Sequence, residues 1–77
     1  MIIDPQAPEP AYEQLAAIIR ARIEDGTYPP RSRIPSITEI VSETGLAIGT
    51  VRKAVRVLAG EGLVRTVPGH GTVVRER

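Results

Sequence analysis

Residues 33–74 read RIPSITEIVSETGLAIGTVRKAVRVLAGEGLVRTVPGHGTVV, and this run decides the fold. At Ser36 it carries S-I-T-E, in which the serine hydroxyl accepts the backbone N–H three residues on while Glu39 reaches back to the Ser36 N–H. A reciprocal cap of this kind starts a helix, and Ile40 and Val41 supply its buried face. Thr44-Gly45 ends it, because glycine takes the positive φ of a sharp turn without a Cβ clash. A second helix runs from about Ile48 to Glu61, with Val51, Ala54, Val55 and Leu58 as its inward stripe and Gly62 as its stop. Two short helices joined by about three turn residues form a helix-turn-helix. The period then changes. Leu63–Val67 is β-branched and partly alternating, Pro68-Gly69-His70-Gly71 is turn chemistry, and Thr72-Val73-Val74 returns as a second strand. A hairpin placed there is a wing, a device that sets one helix in the major groove of DNA and a loop beside it.

Upstream, PAYEQLAAIIRARIEDG at 10–26 reads as a further helix, with Pro10 in the first turn and Gly26 past its end. Tyr12, Leu15, Ile19 and Ile23 are spaced three, four and four along one stripe, which Ile18 widens. Tyr28-Pro29-Pro30 forces a non-helical connection, since proline lacks the amide donor and restricts the residue before it. Residues 1–9, with Pro5 and Pro8 and little to bury, read as a flexible N-terminal arm. The expected fold is mainly α with a small β-hairpin: a three-helix winged helix-turn-helix over residues 10–75.

Composition narrows the function. Seventy-seven residues make one domain, near the lower end of what folds without staples or partners. With no Phe or Trp the core must come from Ile, Leu, Val and Ala, so modest stability and help from a dimer or from DNA are expected. The absence of cysteine excludes disulfides and cysteine zinc sites and agrees with a reducing cytoplasm. Met1-Ile2-Ile3 runs straight into Asp4-Pro5, which is no signal peptide, and no segment has the apolar length to span a membrane. One histidine and no cysteine leave no catalytic or metal-binding constellation, so neither an enzyme nor a cofactor is expected.

The net charge of +1 hides an asymmetry. Residues 1–44 hold four arginines against seven acids, whereas 45–77 hold Arg52, Lys53, Arg56, Arg65, Arg75 and Arg77 against Glu61 and Glu76. The basic half contains the second helix of the motif and the wing, as a nucleic-acid footprint requires.

Several runs occur in a telling order: P-A-Y-E-Q-L at 10–15, I-E-D-G-T-Y-P-P at 23–30, and R-I-P-S-I-T-E-I at 33–40. T-V-R-K-A-V-R-V-L-A-G-E-G-L-V follows at 50–64 and G-H-G-T-V-V at 69–74. At these spacings the chain resembles the winged helix-turn-helix domain of the GntR family of bacterial transcription regulators, over about Pro10 to Val74. The resemblance implies DNA contacts from the first turns of the two motif helices and from the wing tip. Matched by position, these are Ser36, Thr38, Thr50, Arg52, Gly69 and His70, and the surrounding Ile48, Gly49, Lys53, Arg56 and Gly71 join the candidate surface. Free amides and the helix dipole at Ser36 and Thr38 favour a phosphate, and Arg52 suits the O6/N7 edge of guanine. Gly69 and Gly71 let the wing backbone come close to DNA.

Departures from the family pattern also bear on function. Thr38 and Ile48 stand where the family usually has arginines, and Ala47 replaces a capping serine at a cost of about 1 kcal/mol. Gly49 weakens the same first turn, while Ile48 offers an apolar contact for a thymine methyl. Each candidate also has a structural reading. Ser36 with Glu39 is a cap, Lys53 and Arg56 can be solvated, His70 can be a loop residue, Arg33 can cover Ile34, and Tyr12 can be core-edge packing.

The resemblance implies a sequence-specific, double-stranded DNA-binding regulator, a repressor, acting on an inverted-repeat operator as a homodimer in the bacterial cytoplasm, associated with the nucleoid. Residues 48–61 would enter the major groove with the wing at 63–75 alongside. The chain ends three residues after the second wing strand, so no effector domain is expected in it and no small-molecule effector is expected to bind it; a one-domain protein and a fragment both fit. The competing readings are a winged helix used for protein contact and an accessory DNA-binding subunit in recombination or plasmid maintenance.

Overall fold

A computed structural model describes residues 1–76; Arg77, counted in the basic half, lies outside them. The elements are α1 (Ala11–Glu24), α2 (Ile37–Thr44), α3 (Ile48–Gly60), β1 (Val64–Val67) and β2 (Gly71–Val74). This is the three-helix winged helix-turn-helix that the sequence predicts.

Helix α1 starts one residue later than the proline pattern suggests. Pro10 is its extended N-cap, and its carbonyl receives the N–H groups of Glu13 and Gln14 at 3.0 and 3.2 Å. Leu15, Ile19 and Ile23 are buried as the stripe requires, joined by Ala16, while Tyr12 and Ile18 are half-buried. The α2 cap has both arms: Glu39 N–H donates to Ser36 Oγ at 3.1 Å, and Ser36 N–H donates to Glu39 Oε1 at 3.0 Å. Gly45 closes the helix at φ 74°, with its N–H on the Val41 carbonyl at 2.8 Å. Val51, Ala54, Val55 and Leu58 of α3 are all buried. This helix lies at the centre of the molecule, packing on α1, on α2 and on β1. It ends at Gly60, one residue short of the expected Glu61, which serves as its C-cap.

Ile34, Ile40, Leu63, Val64 and Val74 complete the core, and each fully buried aliphatic side chain contributes about 1.5–3 kcal/mol. The hairpin pairs Val64 with Val74, Arg65 with Val73, Thr66 with Thr72, and Val67 with Gly71. β1 therefore starts one residue after the expected Leu63, and β2 one before the expected Thr72. His70 N–H donates to the Val67 carbonyl at 2.9 Å around Pro68 and Gly69, whose φ is 79°. Proline second and a left-handed glycine third is the arrangement of a type II turn.

One β element goes beyond the sequence expectation. The connection after Pro29-Pro30 runs along β2: Ile34 N–H reaches the Thr72 carbonyl at 3.0 Å, and Val74 N–H reaches the Ser32 carbonyl at 2.8 Å. Arg33 thereby pairs with Val73 in a short third strand position.

Residues 1–9, anticipated as an arm, contain no helix or strand. Gln14 holds this segment along α1, accepting Asp4 N–H at 2.8 Å and donating to the carbonyls of Asp4 and Glu9 at 2.9 and 2.8 Å. Met1 and Ile3 pack against the core. Among the described residues no helix is long and apolar enough to cross a membrane.

Candidate nucleic-acid interface

A helix turns about 100° per residue, so residues four apart share a ridge. On α3 this places Ile48, Arg52 and Arg56 on one outward ridge, with Gly49 on the same side. All four are exposed, and a Cβ at Gly49 would meet nothing within 4 Å. The other two candidates on this helix are placed elsewhere. Thr50 is half-buried on the far side of the inward stripe, and Lys53 turns towards α1, its Nζ 4.1 Å from the centroid of the Tyr12 ring.

The start of α3 is uncapped by any side chain. Ala47 supplies only its carbonyl, which takes the N–H groups of Thr50 and Val51 at 3.0 and 3.2 Å. The N–H groups of Ile48 and Gly49 are left to solvent or a ligand. At the start of α2 the exposed Ser36 and Thr38 stand together. Ser36 Oγ accepts the Glu39 N–H at 3.1 Å. The hydrogen bonds from the Ser36 backbone and side chain hold the Glu39 carboxyl below the ordinary glutamate range.

Gly69, His70 and Gly71 are exposed at the wing tip. Their two glycines differ. The Cβ position of Gly69 is open, whereas a Cβ on Gly71 would lie 3.1 Å from Arg33 Cδ. The missing side chain at Gly71 thus makes room for Arg33.

Ion pairing sharpens the charge asymmetry of the sequence. Arg20 donates to Glu61 through Nε at 2.8 Å and Nη2 at 2.6 Å, and Arg31 forks onto Glu76 with Nη2 at 2.8 and 2.9 Å. Both acids of the basic half are therefore neutralised by arginines from the other half. Arg22 donates to the Tyr28 hydroxyl at 3.0 Å. By contrast Arg33, Arg52, Arg56, Arg65 and Arg75 make no salt bridge among the described residues. Unpaired positive charge thus lies on the α3 ridge and on the wing. The site list drawn from sequence omits Arg65 and Arg75, which flank Val73 on the outer face of the hairpin. The period-two alternation of 64–67 and 71–75 carried that signal, since it sets Arg65 opposite in facing to the buried Val64.

Three helices, an exposed cationic ridge on the third and a hairpin beside it define a winged helix-turn-helix DNA-binding domain. The chain belongs to the gntR family of bacterial regulatory proteins, whose family profile matches residues 11–74. It is 37% identical over 71 residues to the histidine utilization repressor of Pseudomonas putida, covering 92% of this chain and 29% of that protein. Its fold is similar to that of YtrA from Sulfolobus acidocaldarius, a GntR-family transcription factor, with a TM-score of 0.90 and 33% identity over 97% of this chain and 64% of the other. The AraR DNA-binding domain, solved in complex with operator ORX1, matches with a TM-score of 0.88 and 32% identity, over 96% of this chain and 94% of the other. The family match sets the chain among bacterial regulatory proteins.

Proposed function

We propose that this chain is the operator-binding module of a transcriptional repressor. Helix α3 enters the major groove with Ile48, Gly49, Arg52 and Arg56 towards the bases and phosphates. Ser36 and Thr38 bind a phosphate at the α2 N-terminus, and Gly69, His70 and Gly71 lie against the backbone beside the groove. Thr50 and Lys53 reach DNA only at the edges of this surface, Lys53 by leaving Tyr12. The observation that carries the reading is the unpaired cation ridge on α3, in a fold that matches the operator-bound AraR domain over nearly its whole length. A homodimer on an inverted repeat, in the cytoplasm and at the nucleoid, is the arrangement proposed for the working protein. No small-molecule effector is assigned to these residues.

Selection of genomic fragments by the purified chain at physiological salt, followed by sequencing, tests this function. Enrichment of an inverted repeat supports an operator-binding repressor. Retention without enrichment would instead support an accessory, sequence-tolerant role. No retention at any salt concentration would move the surface to protein contact, because a phosphate-binding surface must release counterions.

A further inference from the structure

Ile48 is the one large apolar side chain exposed within a helix or strand among the described residues, at 49%. It opens the helix that the proposed function sets in the major groove, and the following inference rests on that reading. Every neighbour on its ridge is either a cation or a bare backbone: Arg52 four residues on, Arg56 eight on, and Gly49 with open space at its Cβ position. Helical side chains lean towards the N-terminus, so the Arg52 stem lies over the turn that begins with Ile48.

An isoleucine here has no core role to explain it. Half of its surface is in water, and it belongs neither to the buried cluster that holds Val51 of the same helix nor to the partly buried side chains packed against that cluster. It cannot hydrogen-bond a base edge. In the major groove one base offers an apolar group at its edge, the C5-methyl of thymine. The absent Cβ at Gly49 removes the side chain that would otherwise hold the helix away from the groove floor.

We propose that Ile48 is a specificity-determining residue that packs on the C5-methyl of a thymine in each half-site, within the stretch of groove reached by Arg52. Methyl packing would then supply discrimination at a position where this chain has no hydrogen-bonding side chain. The recognised half-site carries a thymine there.

The test uses the selected fragment and deoxyuridine, which differs from thymidine only in lacking the methyl. Each thymine of one half-site is replaced in turn, and Kd is measured at fixed salt for the wild-type chain, Ile48→Ala and Ile48→Val. Burial of one methyl predicts about a fourfold loss at a single position for the wild type. The same substitution should leave Ile48→Ala unaffected and should still weaken Ile48→Val. Uniform indifference of the wild type to uracil would overturn the methyl contact while leaving operator binding intact. An equal uracil penalty in Ile48→Ala would also overturn it, by placing the methyl against another residue. Failure of the wild type to bind any duplex would overturn the operator reading as a whole, and this inference with it. Thermal melts of both variants separate a loss of contact from a loss of fold.

Discussion

Lys53 Nζ stands 4.1 Å from the centroid of the Tyr12 ring, so a cation of α3 is held by α1. The contact has a stabilising side and a functional side. A cation–π pair at an exposed site contributes about 0.5–1 kcal/mol, and in a domain of this size each kcal/mol moves Tm by about 4–8 °C. Lys53→Ala should lower Tm accordingly, and Lys53→Arg should restore most of it. The slope of log Kd against log salt should change less in Lys53→Ala than in Arg56→Ala, since Lys53 already has a partner within the fold. Melting curves and a salt titration of duplex binding check both statements.

The Ser36–Glu39 cap makes stability depend on pH at the acid end. Hydrogen bonds from Ser36 lower the Glu39 pKa in the folded state below the ordinary value of 4.5. A depressed carboxylate pKa stabilises the fold above the unfolded value, and that contribution is lost as pH falls through the folded one. Glu61, bonded by Arg20, and Asp25, bonded by Thr27, shift in the same direction. The Tm should therefore fall as pH drops below the ordinary carboxylate range, and Glu39→Gln should flatten part of that fall. Ser36→Ala removes the cap acceptor and should cost about 1 kcal/mol at neutral pH. Thermal melts between about pH 7 and pH 3 read all three effects.

Stability and binding should separate at the start of α3. Ala47 occupies an extended N-cap with no side-chain bond, so Ala47→Ser should add about 1 kcal/mol. Gly49 is helical with open space at its Cβ, so Gly49→Ala should add about 0.5–1 kcal/mol. If the backbone at Gly49 faces the groove, the same methyl group weakens operator binding. A variant that melts higher and binds less tightly is the expected result, and equal affinity with a higher Tm would remove Gly49 from the interface.

Arg52 and Arg56 lie one turn apart on the same ridge, but their positions predict different losses. Arg52, in the second turn of α3, should read a base, so Arg52→Ala costs about 1–3 kcal/mol and relaxes preference at one position. Arg56, further from the helix start, should meet phosphate, so Arg56→Ala weakens all sequences alike and reduces the salt slope by about one. Repeating the fragment selection with each variant distinguishes the two.

Gly71 has a φ of 84° and faces Arg33 Cδ at 3.1 Å where a Cβ would be. Gly71→Ala should destabilise by about 1–2 kcal/mol through the left-handed backbone alone. It must also displace the Arg33 side chain. Gly69→Ala carries a similar backbone penalty without the displacement, so Gly71→Ala should melt at the lower temperature of the two.

Local chemistry by itself determined much of this protein. The capping box at Ser36 and Glu39, the turn at Gly45, the 3.6-residue stripe of Val51, Ala54, Val55 and Leu58, and the Pro68-Gly69 turn each involve residues close together in the chain. Their backbone preferences and periodicities therefore specify the two motif helices and a wing in advance of any tertiary contact. The order of the quoted runs was enough to indicate the family. Only the tertiary structure decided which charges remain free and which way the candidate residues face. Arg20 meets Glu61 and Arg31 meets Glu76 across more than forty positions of sequence, and those pairings leave Arg52 and Arg56 as the unpaired cations of α3. Lys53 turns to Tyr12, Arg33 joins Val73 as a strand neighbour, and Gly71 makes room for it. Such contacts arise when helices and strands pack face to face, and no periodicity along the chain encodes which distant partner a long, flexible side chain will reach.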